Sequence, residues 1–335
     1  MAIETNELIW RLSAVRSSDA SNGGRMSTVQ IVSGVKNNVW PDVSSAQRLA
    51  GMNLYRKIGL HVANDDDLTL VAPKFFMETF SPGSDSIVWF PGTLTNTQAD
   101  LTGTERKYGA GALNANVTAG AGSITVLTEG ADLNYFRDGD VIRISNKASV
   151  NAEAGFEEFH TINGVPSYAG NVATITLTGT LTNSYPAAGA TKVASVYLAP
   201  DIATSVTNYS KTSVAGIINQ NDFPVLGDNI GTILQTWMGE FTSSTAYTLT
   251  GNTVGFVGSG NRGSLFTPLH PTYIKPYCVI PSEFFSGTWA IGDTFSFTTN
   301  PAQFMLWMHQ VIPPAAASLD GNRVVMAVIG ESSGS

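Results

Sequence analysis

Phe304-Met305-Leu306-Trp307-Met308-His309-Gln310-Val311-Ile312 is the stretch that decides the fold. Read with a period of two, Phe304, Leu306, Met308 and Ile312 share one face, and Met305, Trp307, His309 and Val311 share the other. A strand apolar on both sides must be covered on both sides. One face belongs to the core of its own sheet. The other needs a second sheet or another subunit, and an obligate interface is apolar enough to supply it. Met305, Trp307 and Val311 are therefore interface candidates.

The same rhythm spreads outward from this strand. Strands are expected at 237–241, 246–250, 253–257, 277–280, 288–291, 294–298 and 323–329, with a weakly patterned connector over 201–235. Upstream, 111–200 holds about five short strands, at 123–127, 141–145, 156–162, 172–177 and 193–198, separated by turns such as Arg137-Asp138-Gly139-Asp140. That spacing reads as a small barrel or sandwich. Ile58, Leu60 and Val62 share a strand face before the turn Asn64-Asp65-Asp66-Asp67. Further strands are expected from Leu68, at 75–80 and at 87–90. In residues 6–16, Leu8, Leu12 and Val15 fall at i, i+4 and i+7, so a helix is expected there behind an Asn6 cap. An extended Ser/Asn/Gly/Asp-rich arm over 17–45 and a short helix over 44–54 should follow.

The expected architecture is mainly β. An N-terminal arm with short helices (1–54) precedes a main β body (55–110 plus 201–335), into which a small barrel-like domain (111–200) is inserted. Two to three sandwich-like or barrel-like domains suit a chain of 335 residues.

Charged residues make up only 13% of the chain, about half the usual share, so its surface is either rich in Ser, Thr and Asn or hidden against partners. The net charge of −8 argues against broad nucleic-acid binding. Residues 1–57 nevertheless carry seven basic against four acidic side chains. A basic arm on an acidic remainder suits contact between copies. Trp10, Arg11, Arg16 and Arg25 join the interface candidates on that ground. The N-terminus has no signal-peptide pattern, and no stretch has the length of a membrane-spanning helix.

Motifs for chemistry are sparse. Gly258-Ser259-Gly260-Asn261-Arg262-Gly263 fits G-x-G-x-x-G, but Pro268 and Pro271 follow where a dinucleotide fold needs a helix. Asp65-Asp66-Asp67 lacks the alternation of a calcium loop. His61, His160, His270 and His309 have no metal spacing. Glu157-Glu158 lacks an evident sugar cleft, and the lone Cys278 sits between apolar neighbours. Trp89, Trp237, Trp289 and Trp307 fit core packing better than a sugar platform. No catalytic, cofactor or metal residues are assigned.

Asn6 to Ser27, the stretch Val43–Val62 with Tyr55-Arg56-Lys57, and Phe136 to Ser145 (FRDGDVIRIS) followed by Phe159-His160-Thr161-Ile162 together carry a resemblance. So do Gly287–Thr299 and Val311-Ile312-Pro313-Pro314-Ala315. These segments resemble structural proteins of tailed-phage virions. The resemblance implies a non-enzymatic virion subunit of the tail or baseplate. It would be made in the host cytoplasm and would act as a ring-like homo-oligomer, three-fold or six-fold, with other virion proteins as partners. It implies no nucleic-acid or membrane partner. The alternatives are a host-surface glycan-binding module, a head or neck decoration protein and a polysaccharide-degrading enzyme.

Overall fold

A computed structural model of the chain describes residues 2–129, 135–187 and 191–334. Among the described residues strands hold 46% and helices 5%, so the fold is mainly β, as the alternating pattern requires.

The first unit begins with β1 (Leu8–Val15) and β2 (Gly23–Gln30). After the short helix α1 (Ser45–Ala50) come β3 (Met52–Val62), β4 (Leu70–Thr79) and β5 (Ser86–Gly92). The N-terminal helix expected over 6–16 is a strand, and this is a correction. Leu8, Trp10 and Leu12 also satisfy a period of two, and in β1 they face the first core. Pairing to β3 from Leu8↔Val62 to Leu12↔Ile58 fixes that register and outweighs the local helical spacing. The expected second helix is present but shorter. Ser44 caps it by accepting from Gln47 N at 3.2 Å, and Gly51 ends it. The arm over 17–45 is not free, because β2 pairs with β1.

Two long excursions interrupt this unit. The first comprises β6 (Ala110–Leu113), β7 (Ser123–Leu127), β8 (Val141–Ser145), β9 (Glu157–Thr161), β10 (Ser167–Ala169), β11 (Val172–Thr176) and β12 (Lys192–Leu198). The strands run in the order β11-β7-β6-β12-β8-β9. The bridge Ile162↔Leu177 brings the end of β9 back beside β11, so the sheet curls into a nearly closed barrel. Its interior is Ile124, Val126, Phe136, Ile142, Ile144 and Ile175 with their neighbours, a separate apolar core. Entry and exit strands are paired, Ala112↔Lys192 to Ala110↔Ala194.

The second excursion is β13 (Ser205–Lys211), β14 (Gly216–Ile218), β15 (Gln235–Phe241), β16 (Ala246–Gly251), β17 (Gly255–Asn261), β18 (Phe285–Gly287) and β19 (Thr294–Asn300). Five of these strands form one sheet in the order β13-β19-β15-β16-β17 over a third core rich in Trp237, Phe241, Tyr247, Phe285 and Trp289. The expected single body of 55–110 plus 201–335 is thus divided. Residues 205–300 pack on themselves, and only β20 (Gln303–Ile312) and β21 (Val325–Ser332) return to the first unit. Here too the crossings are adjacent, with Ser205 opposite Asn300.

The first unit is a sandwich. One sheet runs β2-β1-β3-β20-β5, and against it lie β4, β21 and the end of β12. Leu306 and Met308 of β20 meet Phe75 and Met77 of β4 in the core, and the ring of Phe304 stacks on Phe75 at 4.3 Å.

The other face of β20 is covered by the chain itself. Met26 and Met305 crowd Gly59, while Gly23 and Gly92 flank the Trp307 ring so closely that a Cβ at Gly23 would fall 2.6 Å from it. Gly23 also sits at φ +106°, a conformation other residues resist. The segment 93–101 completes the lid: Gly24 N donates to Asn96 O at 3.0 Å, and Asn22 Nδ2 donates to Gln98 Oε1 at 3.0 Å.

Candidate interaction surface

Placing the sequence-derived interface residues in this fold corrects most of them. Met305 and Trp307 are buried inside one chain, so the second cover is intramolecular and neither presents a surface to a neighbour. Val311 is half-buried, and Trp10 packs edge-on against Phe75 at 6.1 Å in the first core. Arg11 is buried. Its Nη1 donates to Thr28 O at 2.7 Å, its Nε donates to His61 Nδ1 at 3.2 Å, and its guanidinium lies 5.3 Å from the Tyr273 ring centre. Arg25 donates to Leu234 O in the third unit. Arg16 is exposed.

The N-terminal cations are thus mostly spent on the chain's own carbonyls. Lys57 extends the pattern, donating to Gly24 O and Asn96 O at 2.7 Å each beneath the Trp307 ring. Burial pulls its ammonium down to about 7. Arg56 donates to Ser17 O and Tyr55 O. The excess charge of residues 1–57 is a packing device as much as a surface feature.

The groups able to do chemistry are dispersed into structural roles. His61 is clamped between Arg11 and Asn229 O, and burial together with Arg11 lowers it to about 4. His309 stacks on Tyr55 at 4.3 Å and contacts Asn53 Oδ1 at 2.9 Å; burial brings it too to about 4. Glu157 pairs with Arg143. Glu158 closes the barrel by accepting from Thr182 N at 2.8 Å, Asn183 N at 2.7 Å and Tyr185 Oη at 3.1 Å. Against the upward push of burial, such bonds and one from His160 hold it at about 2. Burial raises the Cys278 thiol. Trp89, Trp237, Trp289 and Trp307 are all fully buried and form no sugar platform. Among the described residues, no three of His, Cys, Asp and Glu gather as a metal would need.

The surface that stands out is the outer face of the third-unit sheet. β15 alternates strictly between buried and exposed, which sends Thr236, Met238 and Glu240 outward. Register then builds a row across five strands, Ser210–Ser296–Met238–Thr250–Phe256. Thr207–Thr298–Thr236 and Thr294–Glu240–Thr248–Ser259 flank it. Glu240 is the one charged side chain in these three rows. Met238 is 53% and Phe256 64% exposed, a large apolar pair set in a hydroxyl-rich face. At the end of the unit away from its crossings, Val214 and Ile291 are 98% and 77% exposed. Sequence reasoning passed over Met238 and Phe256. The available signal was a methionine in the polar phase of the alternating strand Gln235–Phe241.

No protein-family model, curated protein or solved structure matches the chain.

Proposed function

We propose that the chain is a non-enzymatic structural subunit of a tailed-phage virion, placed in the tail or baseplate, that assembles with copies of itself and with other virion proteins. The observation that carries this reading is the nearly uncharged outer face of the third unit, with Met238 and Phe256 at its centre. Exposed apolar area set among hydroxyls, with one carboxylate, is inexpensive to desolvate and typical of a surface that another protein covers. The two-excursion architecture supports it as well: both extra units are inserted through paired neighbouring strands, which lets each project from the sandwich as a unit with its own core. The virion assignment itself rests on the sequence resemblance.

The test is the double variant Met238→Glu, Phe256→Glu, which puts two carboxylates beside Glu240 without touching a core. Sedimentation velocity should show oligomers for the parent chain and monomers for the variant, with identical far-UV circular dichroism. Unchanged assembly by the variant would refute the surface. Immunogold labelling of particles places the subunit in the virion. Turnover of polysaccharide or peptidoglycan that vanishes on changing one carboxylate would replace the structural reading with an enzymatic one.

A further inference from the structure

The seam between the sandwich and the third unit is polar and specific. Asn229 is its centre: Asn229 N donates to Asp67 Oδ1 at 2.6 Å, and its Nδ2 donates to Leu68 O at 2.9 Å. Lys275 pairs with Asp65 at 2.7 Å, and Arg25 reaches Leu234 O. A cleft of about 210 Å³ runs along the same seam, with Arg25, Gln235 and His270 set beside the apolar Met26, Leu94 and Ile233. A junction pinned by a few polar contacts and crossed by the chain at one paired point leaves the two units free to move once those contacts are lost.

At its deepest point lies His61. Arginine has no acceptor, so the bond from Arg11 Nε requires a bare lone pair on His61 Nδ1. The contact of His61 Nε2 with Asn229 O at 2.7 Å requires a proton there. The geometry therefore fixes the neutral Nε2–H tautomer. We infer that the Arg11–His61–Asn229 chain is an acid-operated latch that holds the third unit to the sandwich at neutral pH and releases it when His61 takes a second proton. That proton would sit on Nδ1, pointing at the Arg11 N–H, and would place two cations side by side in a buried site. Arg11 faces the imidazole from β1 and Tyr273 from the 270–275 loop, with the His270 ring tilted against Tyr273 at 4.5 Å. The carboxylates of the seam, Asp65, Asp67 and Asp228, are engaged with Lys275, Asn229 N and the Ile230 and Gly231 amides. Either Arg11 leaves, losing Tyr273, or His61 leaves, losing Asn229. In both cases a contact with the third unit is broken and water enters.

The direction of the effect follows from the ring's affinity for a proton. It is about 4 in the closed seam and near 6.5 when free. Closure is thus supported above pH 6.5 and is lost progressively as the pH falls toward 4, with the open form favoured about twentyfold more at pH 5 than at pH 7. Hydrogen exchange on the full chain, corrected for intrinsic rates, tests this. Between pH 7.5 and 5, amides of 228–234 and 270–275 should lose at least tenfold in protection while 124–127 of the barrel keep theirs. His61→Gln, which can accept from Arg11 and donate to Asn229 O without titrating, should abolish the pH dependence. His309→Gln should leave it intact and serves as the second variant if His61→Gln misfolds. Constant protection in the parent chain, equal loss in barrel and seam, or a seam response that follows His309 instead would each overturn the latch.

Discussion

A single buried side chain in this protein is held by both strands and covers. Trp307 is fully buried between Gly23, Gly92 and Lys57, although its strand looked from its sequence like half of a subunit interface. Trp307→Ala should cost about 3–5 kcal/mol in denaturant unfolding and should lower soluble yield before any assembly defect is seen. Glu129 is the opposite case, a carboxylate whose position is unfavourable once ionised. Burial and nearby Asp85 raise it to about 8, although Ile87 N donates to it at 3.1 Å. Its affinity is raised on folding, so the cost of its charge grows as the pH climbs from the free value near 4.5 through 8 and is complete above that. Glu129→Gln keeps the acceptor and removes the charge. It should stabilise the chain by on the order of 2–4 kcal/mol at pH 9 and by nothing at pH 4, read as the difference between two urea titrations.

At the scale of elements, β1 matters most. As a free arm, residues 1–45 would be dispensable to the fold. As β1 and β2 they occupy two strands of a five-stranded sheet and supply Leu12 to the core and Met26 to the cover of Gly59. Deleting residues 1–45 should therefore leave an aggregated chain without a cooperative melt, and a soluble, cooperatively melting truncation would show that β3 tolerates an open edge. The kink in β4 makes a related point. The strands expected from Leu68 and at 75–80 are one, bent at Ala72, whose φ is +46°. The bend coincides with a register shift in the pairing of β4 with β21, between Lys74↔Ile329 and Val71↔Glu331.

For the molecule as a whole, paired entry and exit strands make both excursions separable. Residues 203–301 contain a whole core and end where they begin, so they should fold alone, with β-type circular dichroism and a single thermal transition. Replacing them by a short Gly-Ser linker should leave the sandwich folded, because Ser205 and Asn300 are cross-strand neighbours. Residues 108–198 should behave similarly, with one difference. Tyr197 and Leu198 of β12 also pair with β4, so removing the barrel should destabilise the sandwich measurably where removing the third unit does not. Equal melting temperatures for the two deletions would refute that asymmetry.

Much of this was written in the sequence. Alternation alone located β7 and β8 at their observed bounds, and β12, β16, β19 and β20 within a few residues, because a side-chain period of two is a local property of the strand. The double-sided apolar strand at 304–312 correctly announced burial on both faces. What it could not carry was the identity of the cover, since a sheet face is equally satisfied by a neighbour or by a distant part of its own chain. Likewise Leu8 and Leu12 fit a helix and a strand alike, Val15 fits only the helical spacing and is exposed in β1, and the vacant edge of β3 chose between the two. The Arg11–His61–Asn229 chain spans more than 200 residues and involves types with no shared spacing, so it exists only where the sandwich and the third unit meet. Sequence determined the strands through local periodicity; tertiary structure decided what covers them, because burial is a contact between parts of the chain that the order of residues leaves far apart.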